Sequence, residues 1–195
     1  IDTQLMDMFR SLHGNDSADN LMAALDVLRG PLVVTETMQQ LGLKNTFTAM
    51  YFALGSFPLQ HYLTPSNSRS DISTNPDPFD QTTPSEIGFL LEDIYLCALT
   101  GGGSLVAAFP GQIDQPACQV MIQYMQQDKL GALIQGGVPE GTIVAHKHGF
   151  TLNDFSDAGI IYTPGGNYIL TIYVYHPVQA LWDTVSSLYA ELSRA

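Results

Sequence analysis

The hydrophobic period changes once along this chain, and that change limits the folds open to it. Up to about Asp128 the apolar residues recur at helical spacing. Leu5, Met8, Phe9 and Leu12 fall at i, i+3, i+4 and i+7, and Leu21, Met22, Leu25 and Leu28 form a second series. From Thr142 the pattern is β-rich. Runs at Thr142 to Phe150, Asp157 to Thr163 and Tyr168 to Tyr175 follow one another, the last two separated by the hairpin turn signal Pro164-Gly165-Gly166-Asn167. A closing helix then places Val178, Leu181, Trp182, Val185, Leu188, Tyr189 and Leu192 on one stripe. Both periods are satisfied by an α/β (α+β) fold with a helical lobe and an antiparallel three-stranded sheet covered by the C-terminal helix. At 195 residues and 45% apolar content, the chain can bury a core as a single domain, residues 1–195.

Local signals punctuate the helical half. Asn15-Asp16-Ser17 offers N-cap side chains for the Leu21 series, which Gly30-Pro31 is expected to stop. Val33 to Leu41 reads as a short helix ending at Gly42. From Leu59 to Asp80 the chain is rich in Ser, Asn, Asp and Pro without periodicity, a loop of the length that is usually functional or disordered. Thr83-Pro84-Ser85-Glu86 is a capping box with proline at the first helical position, and it leads into Ile87, Leu90, Leu91, Ile94 and Tyr95. Gly101-Gly102-Gly103 reads as a helix terminus, since no lysine follows at the spacing of a phosphate-binding loop. A further helix is expected from about Pro116 to Asp128, with Val120, Met121, Tyr124 and Met125 as core.

A formal net charge of -12 repels phosphate backbones, so neither nucleic acid nor an anionic membrane surface is expected as a partner. No apolar run approaches the roughly 18 to 20 residues that span a bilayer, and a soluble chain is expected. The start at Ile1, with neither an initiator methionine nor a leader, reads as a cut end. Cys97 and Cys118 fit no metal or redox motif and are read as two buried free thiols, with a disulfide open to them in an oxidising compartment.

One stretch needs a chemical explanation. In Val144-Ala145-His146-Lys147-His148-Gly149-Phe150 a lysine lies between two histidines inside an apolar run. "VPEGTIVAHKHGFTLNDFSDAGIIYTPGGNYIL" resembles the C-terminal strands of the class A β-lactamase and penicillin-recognising serine hydrolase family, where a Lys-Thr-Gly or Lys-Ser-Gly triad borders the active site. "HGNDSADNL" looks like that family's Ser-Asp-Asn loop and following helix, and "DQTTPSE" looks like the end of its omega loop. The resemblance implies the β-lactamase-like fold, here as its C-terminal portion. It implies Lys147 as the catalytic cation. Gly14, Asn15, Asp16, His148, Gly149 and Phe150 become substrate-contacting residues, with the Phe150 N–H as one oxyanion donor. It further places the Gly14-Asn15-Asp16 loop across a cleft from Lys147. A solvated lysine blunting an edge strand is the plainer reading of Lys147 taken alone.

The chain departs from the family at several points. Ser-x-x-Lys occurs nowhere in it. Gly14 stands where a serine hydroxyl relays a proton, and Asp16 stands where an asparagine amide holds the substrate. His148 replaces a small hydroxyl residue. The omega-loop stretch has no glutamate, leaving Asp71, Asp77 and Asp80 as stand-ins for a general base, with a structural ion pair expected for Asp80. The expected function is therefore that of a β-lactamase-related serine hydrolase acting on β-lactam or peptidoglycan-like amides by acyl transfer, degenerate and inactive in the chain shown. The alternative is a non-catalytic ligand-binding pseudoenzyme of the same fold. The resemblance implies an extracytoplasmic location and no cofactor. The expected partners are a small-molecule or peptidoglycan-like ligand and, at an open sheet edge, either an N-terminal fragment or a second copy in a homodimer. His146-x-His148 could also present two imidazoles to zinc, but none of His13, His61, His176, Asp154 and Asp157 has diagnostic spacing for a third ligand, so no metal is assigned.

Overall fold

The computed structural model describes residues 14–71, 77, 79–128 and 132–194. It falls into two compact units, Ile1–Thr83 and Pro84–Ala195. The helix expected on Leu5, Met8, Phe9 and Leu12 lies outside the described residues.

In the first unit α1 (Gly14–Leu25) and α2 (Gly30–Gln40) precede two short strands, β1 (Phe47–Thr48) and β2 (Asp80–Gln81), which pair antiparallel. Two sequence expectations are corrected here. Asn15, Asp16 and Ser17 are not caps or loop residues but lie inside the first turns of α1, where the carboxylate of Asp16 suits the positive end of the helix dipole. Gly30-Pro31 opens α2 rather than stopping α1, because proline is tolerated in a first helical turn. A Cβ at Gly30 would sit 2.1 Å from the Met22 carbonyl oxygen, so only glycine lets the chain turn there. Of the Leu21 series Met22 is buried, whereas Leu25 and Leu28 are exposed. The fully buried Thr35 hydroxyl donates to the Thr48 carbonyl at 2.7 Å and accepts the Thr48 N–H at 2.9 Å, which fastens α2 to β1.

The second unit is built on the sheet β3 (Ile143–Phe150), β4 (Asp154–Tyr162) and β5 (Tyr168–Tyr175), antiparallel in that order. Its helices are α3 (Pro84–Thr100), α4 (Ser104–Ala108), α5 (Gln115–Met125), the single turn α6 (Ile134–Gly137) and α7 (Trp182–Arg194). α3 begins at Pro84, the proline of the expected capping box, and Gly101 at φ 73 closes it, its N–H donating to the Cys97 carbonyl. Asp114 caps α5 by accepting the Ala117 N–H at 2.9 Å. β4 starts earlier than its composition suggests. Thr151 and Asp154 close a tight turn by reciprocal side-chain bonds, and this carries Asp154 and Phe155 into the ladder.

Because side chains alternate across a strand, the register divides the sheet into two faces. On one face Val144, Phe155, Ile161 and Ile172 pack with Leu133, Ile134, Val185 and Tyr189 in a single core cluster. On the other, α3 lies over β4 and β5. Thr171 donates to the Pro84 carbonyl at 3.0 Å, and the Tyr95 and Tyr162 rings meet at 6.3 Å. The closing stripe is shorter than expected. Val178 and Leu181 precede α7 and are exposed, because the chain from His176 to Ala180 is bonded instead to Leu152 and Asn153 at the β3–β4 turn.

The free-thiol reading of Cys97 and Cys118 is also corrected: the two form a disulfide that joins α3 to α5. The helices cross closely enough to bring their Cα atoms to 5.9 Å. Closing a loop of 21 residues of separation removes denatured-state freedom amounting to about 3 kcal/mol. The double variant Cys97→Ser/Cys118→Ser is expected to unfold at lower urea by that margin, and the parent should fall to the same midpoint in reductant. Coincident curves for parent and variant would show that the bond contributes nothing.

Candidate functional site

Among the described residues β3 is an outer strand of the sheet with one edge unpaired, and its side chains alternate between the core face and the opposite face. The Thr151 N–H donates to the Asp154 carbonyl at 2.9 Å, directing residue 151 toward β4. Counting back along the alternation of an antiparallel ladder, Gly149 and Lys147 also direct their backbone groups to β4, whereas Phe150 and His148 direct theirs to the open edge. The exposed Lys147 ammonium donates to the His148 carbonyl at 2.6 Å, on that same edge. The charge, a carbonyl and the Phe150 N–H are thus gathered along one strand border. A Cβ at Gly149 would lie 3.3 Å from the Ser156 hydroxyl, which holds the backbone close to β4 there.

The two histidines flanking Lys147 face the other way and are held by separate carboxylates. His146 is buried, with Nδ1 at 2.9 and 3.1 Å from the two oxygens of Asp157, which is itself without exposed surface. Asp157 also accepts the Ile134 N–H at 3.2 Å. Burial opposes charge on the His146 ring, but the hydrogen bonds and charge of Asp157 outweigh it and raise the pKa above the ordinary value of 6.5. His146 Nε2 is buried without a partner. His148 Nδ1 lies 2.8 Å from Asp128 Oδ2, just beyond the end of α5, and its ring lies parallel to that of Phe150 at 6.3 Å. Phe150 in turn stacks on Phe155 at 5.6 Å and meets Trp182 edge-on at 6.4 Å. Sequence reading missed Asp128, whose only signal was a carboxylate near a helix end.

Among the described residues no group of three His, Cys, Asp or Glu side chains is placed to hold a metal ion. His176 instead accepts the backbone N–H groups of Val178 and Gln179. Gly14, Asn15 and Asp16 are exposed on α1 and belong to the first unit, while Lys147 to Phe150 belong to the second. The three stand-ins for a general base have different surroundings. Asp71 is exposed and held at about 2 by hydrogen bonds from Arg69 and its own backbone. Asp77 accepts the Phe79 N–H at 2.7 Å. The ion pair expected for Asp80 is absent among the described residues. Burial raises its pKa, against hydrogen bonds from Thr48 and Ala49, and its Oδ1 has no partner. A hollow of about 780 Å³ in the second unit is formed by residues of α6, α7 and the sheet, none of them Lys147. It is lined by Val138, Ile161, Leu170 and Leu192, with Arg194 the one cationic side chain and no carboxylate or imidazole side chain among the described residues that line it.

The family model described as the beta-lactamase enzyme family matches residues 14–195. No curated protein matches the chain. Among solved structures, that of PBP-A superposes with a TM-score of 0.60 at 19% identity, covering 87% of this chain and 51% of that one. TLA-1 extended-spectrum beta-lactamase superposes at 0.63 and 19% identity, covering 92% and 57%. A W229D mutant of the class A beta-lactamase of the last common ancestor of Gram-negative bacteria gives 0.59 at 21% identity, covering 87% and 55%. The chain therefore has the β-lactamase-like fold and spans about half the length of the solved structures it matches.

The pH dependence of stability follows from His146. Its pKa is raised on folding, so its contribution is fully present below the unfolded value of about 6.5 and is lost as pH rises through the folded value. Urea unfolding across that range is expected to show stability falling with rising pH in the parent and a flatter profile in Asp157→Asn, which should also lose about 3 kcal/mol overall. Equal slopes would remove the pair from the account.

Proposed function

The chain belongs to the beta-lactamase enzyme family, and we propose that it uses the open edge of β3 to hold a carboxylated β-lactam or peptidoglycan-like amide without completing acyl transfer. The observation that carries this is the convergence of the Lys147 ammonium and the outward Phe150 N–H on one strand border. A fixed cation there meets the ligand carboxylate. A backbone donor already oriented by the ladder needs no reorganisation to hydrogen-bond a carbonyl oxygen, or the oxyanion that attack on it would create.

A covalent route needs an activated serine, and Ser-x-x-Lys occurs nowhere in these residues. The imidazole of His148 in place of a hydroxyl, and an omega-loop stretch without glutamate, favour binding over turnover. The Cys97–Cys118 disulfide supports an oxidising, extracytoplasmic compartment. No helix among the described residues is long and apolar enough to cross a membrane.

Incubation with a fluorescent penicillin, followed by anisotropy and intact-mass measurement, tests this. Reversible binding without a mass adduct is expected, weakened about tenfold or more in Lys147→Ala through loss of a charge-assisted contact. A stable acyl adduct on this chain, or affinity indifferent to Lys147, would sink it.

A further inference from the structure

The loop after β1 is unlike the rest of the chain in its chemistry. The chain carries 7 Lys or Arg and 19 Asp or Glu, and none of them falls between Lys44 and Arg69. A stretch of that length, free of charge and rich in Phe, Leu and Tyr, has the composition of a core. Here its apolar side chains are at the surface. Leu54 is fully exposed, Phe57 is 75% exposed, and Phe52 and Leu59 are exposed as well.

The loop is held in shape by its own bonds. The Ser56 N–H donates to the Ala53 carbonyl at 3.1 Å, with Gly55 at φ 86 in the third position of the turn, so Leu54 stands at its tip. The Asp19 carboxylate of α1 accepts the Phe52 and Ala53 N–H groups, each at 2.7 Å. The Leu59 N–H donates to the Ala49 carbonyl at 2.7 Å and closes the base of the loop. These four backbone donors are satisfied within the protein, which lowers the cost of taking the tip out of water. The Tyr51 hydroxyl lies 3.0 and 3.2 Å from the Asp26 and Val27 carbonyls and ties the loop to the α1–α2 turn, where Val27 and Leu28 are also exposed.

We propose that the loop of residues 52–59, with Val27 and Leu28 beside it, is a lipid-docking surface that lays Leu54 and Phe57 into the headgroup–acyl boundary of a zwitterionic membrane. A protein partner calls for a packed apolar core with a polar rim that fixes its register. A turn that projects single side chains offers neither, whereas a fluid acyl layer closes around them. The net charge of -12, with Asp19 and Asp26 next to the loop, works against anionic lipid and leaves a neutral surface as the occupant. The inference is independent of the β3 edge and stands whether or not Lys147 holds a ligand.

Sedimentation of the full chain with phosphatidylcholine vesicles tests it. The parent is expected to co-sediment, and replacing half of the lipid by phosphatidylglycerol should weaken binding. Leu54→Asp/Phe57→Asp should lower the partition coefficient at least about tenfold, since two apolar side chains give way to charges. Both positions are exposed, so the urea midpoint should match that of the parent. Val178→Asp, at an exposed apolar residue of the second unit, should bind as the parent does. In Phe57→Trp the added emission, read against Trp182, should shift to the blue on vesicles. Absence of co-sedimentation, its retention in the double variant, or tighter binding with phosphatidylglycerol present overturns the proposal. So does a parent that forms dimers which the double variant dissolves and that ignores vesicles, because the loop is then a protein contact.

Discussion

A carboxylate with no exposed surface has to be answered by donors, and Asp157 is such a group. Its donors come from two other elements, the His146 ring on β3 and the Ile134 N–H of α6. Breaking a buried pair leaves an uncompensated charge, so the three elements are held in one arrangement. Val144, Phe155, Ile161 and Ile172 fill the space around the pair, and the buried Tyr189 hydroxyl lies 2.8 and 2.7 Å from the Phe155 and Ile172 carbonyls. The position of β3 thus depends on a polar contact inside an otherwise apolar face.

That contact governs the site without facing it. Alternation along β3 turns His146 inward and Lys147 outward, so the buried partner of Asp157 fixes the phase of the exposed cation. A one-residue slip of register would bury the ammonium and expose the imidazole. The opposite face is stiffened by other means, the α3–α5 disulfide and the packing of α3 on β4 and β5. The edge proposed to hold a ligand has to keep its shape, and rigid elements behind it serve that need.

Much of this architecture was legible because its signals are local. α3 begins at the Pro84 of Thr83-Pro84-Ser85-Glu86 and Gly101 ends it, since helix-end signals act within a single turn. The Pro164-Gly165-Gly166-Asn167 hairpin behaved likewise, with Gly166 donating to Thr163 and the Thr163 hydroxyl returning a bond at 2.6 Å. The errors fell where a local rule met a competing partner. Asn15 to Ser17 have cap chemistry yet lie within α1, and Val178 fits the helical stripe yet is held in the chain that docks on Asn153.

The sequence by itself determined the longer helices and the alternation of the three strands of the larger sheet, because periodicity and turn residues are properties of neighbours in the chain, and its motifs carried the resemblance to the family. Only the tertiary structure decided the pairings. Cys97 with Cys118, His146 with Asp157 and His148 with Asp128 each join residues brought together by packing of separate elements, at 11 to 21 residues' separation. No spacing rule connects them. Distance in space, set by how helices cross and strands register, selects which carboxylate meets which imidazole, and that selection gives the Lys147 edge its chemistry.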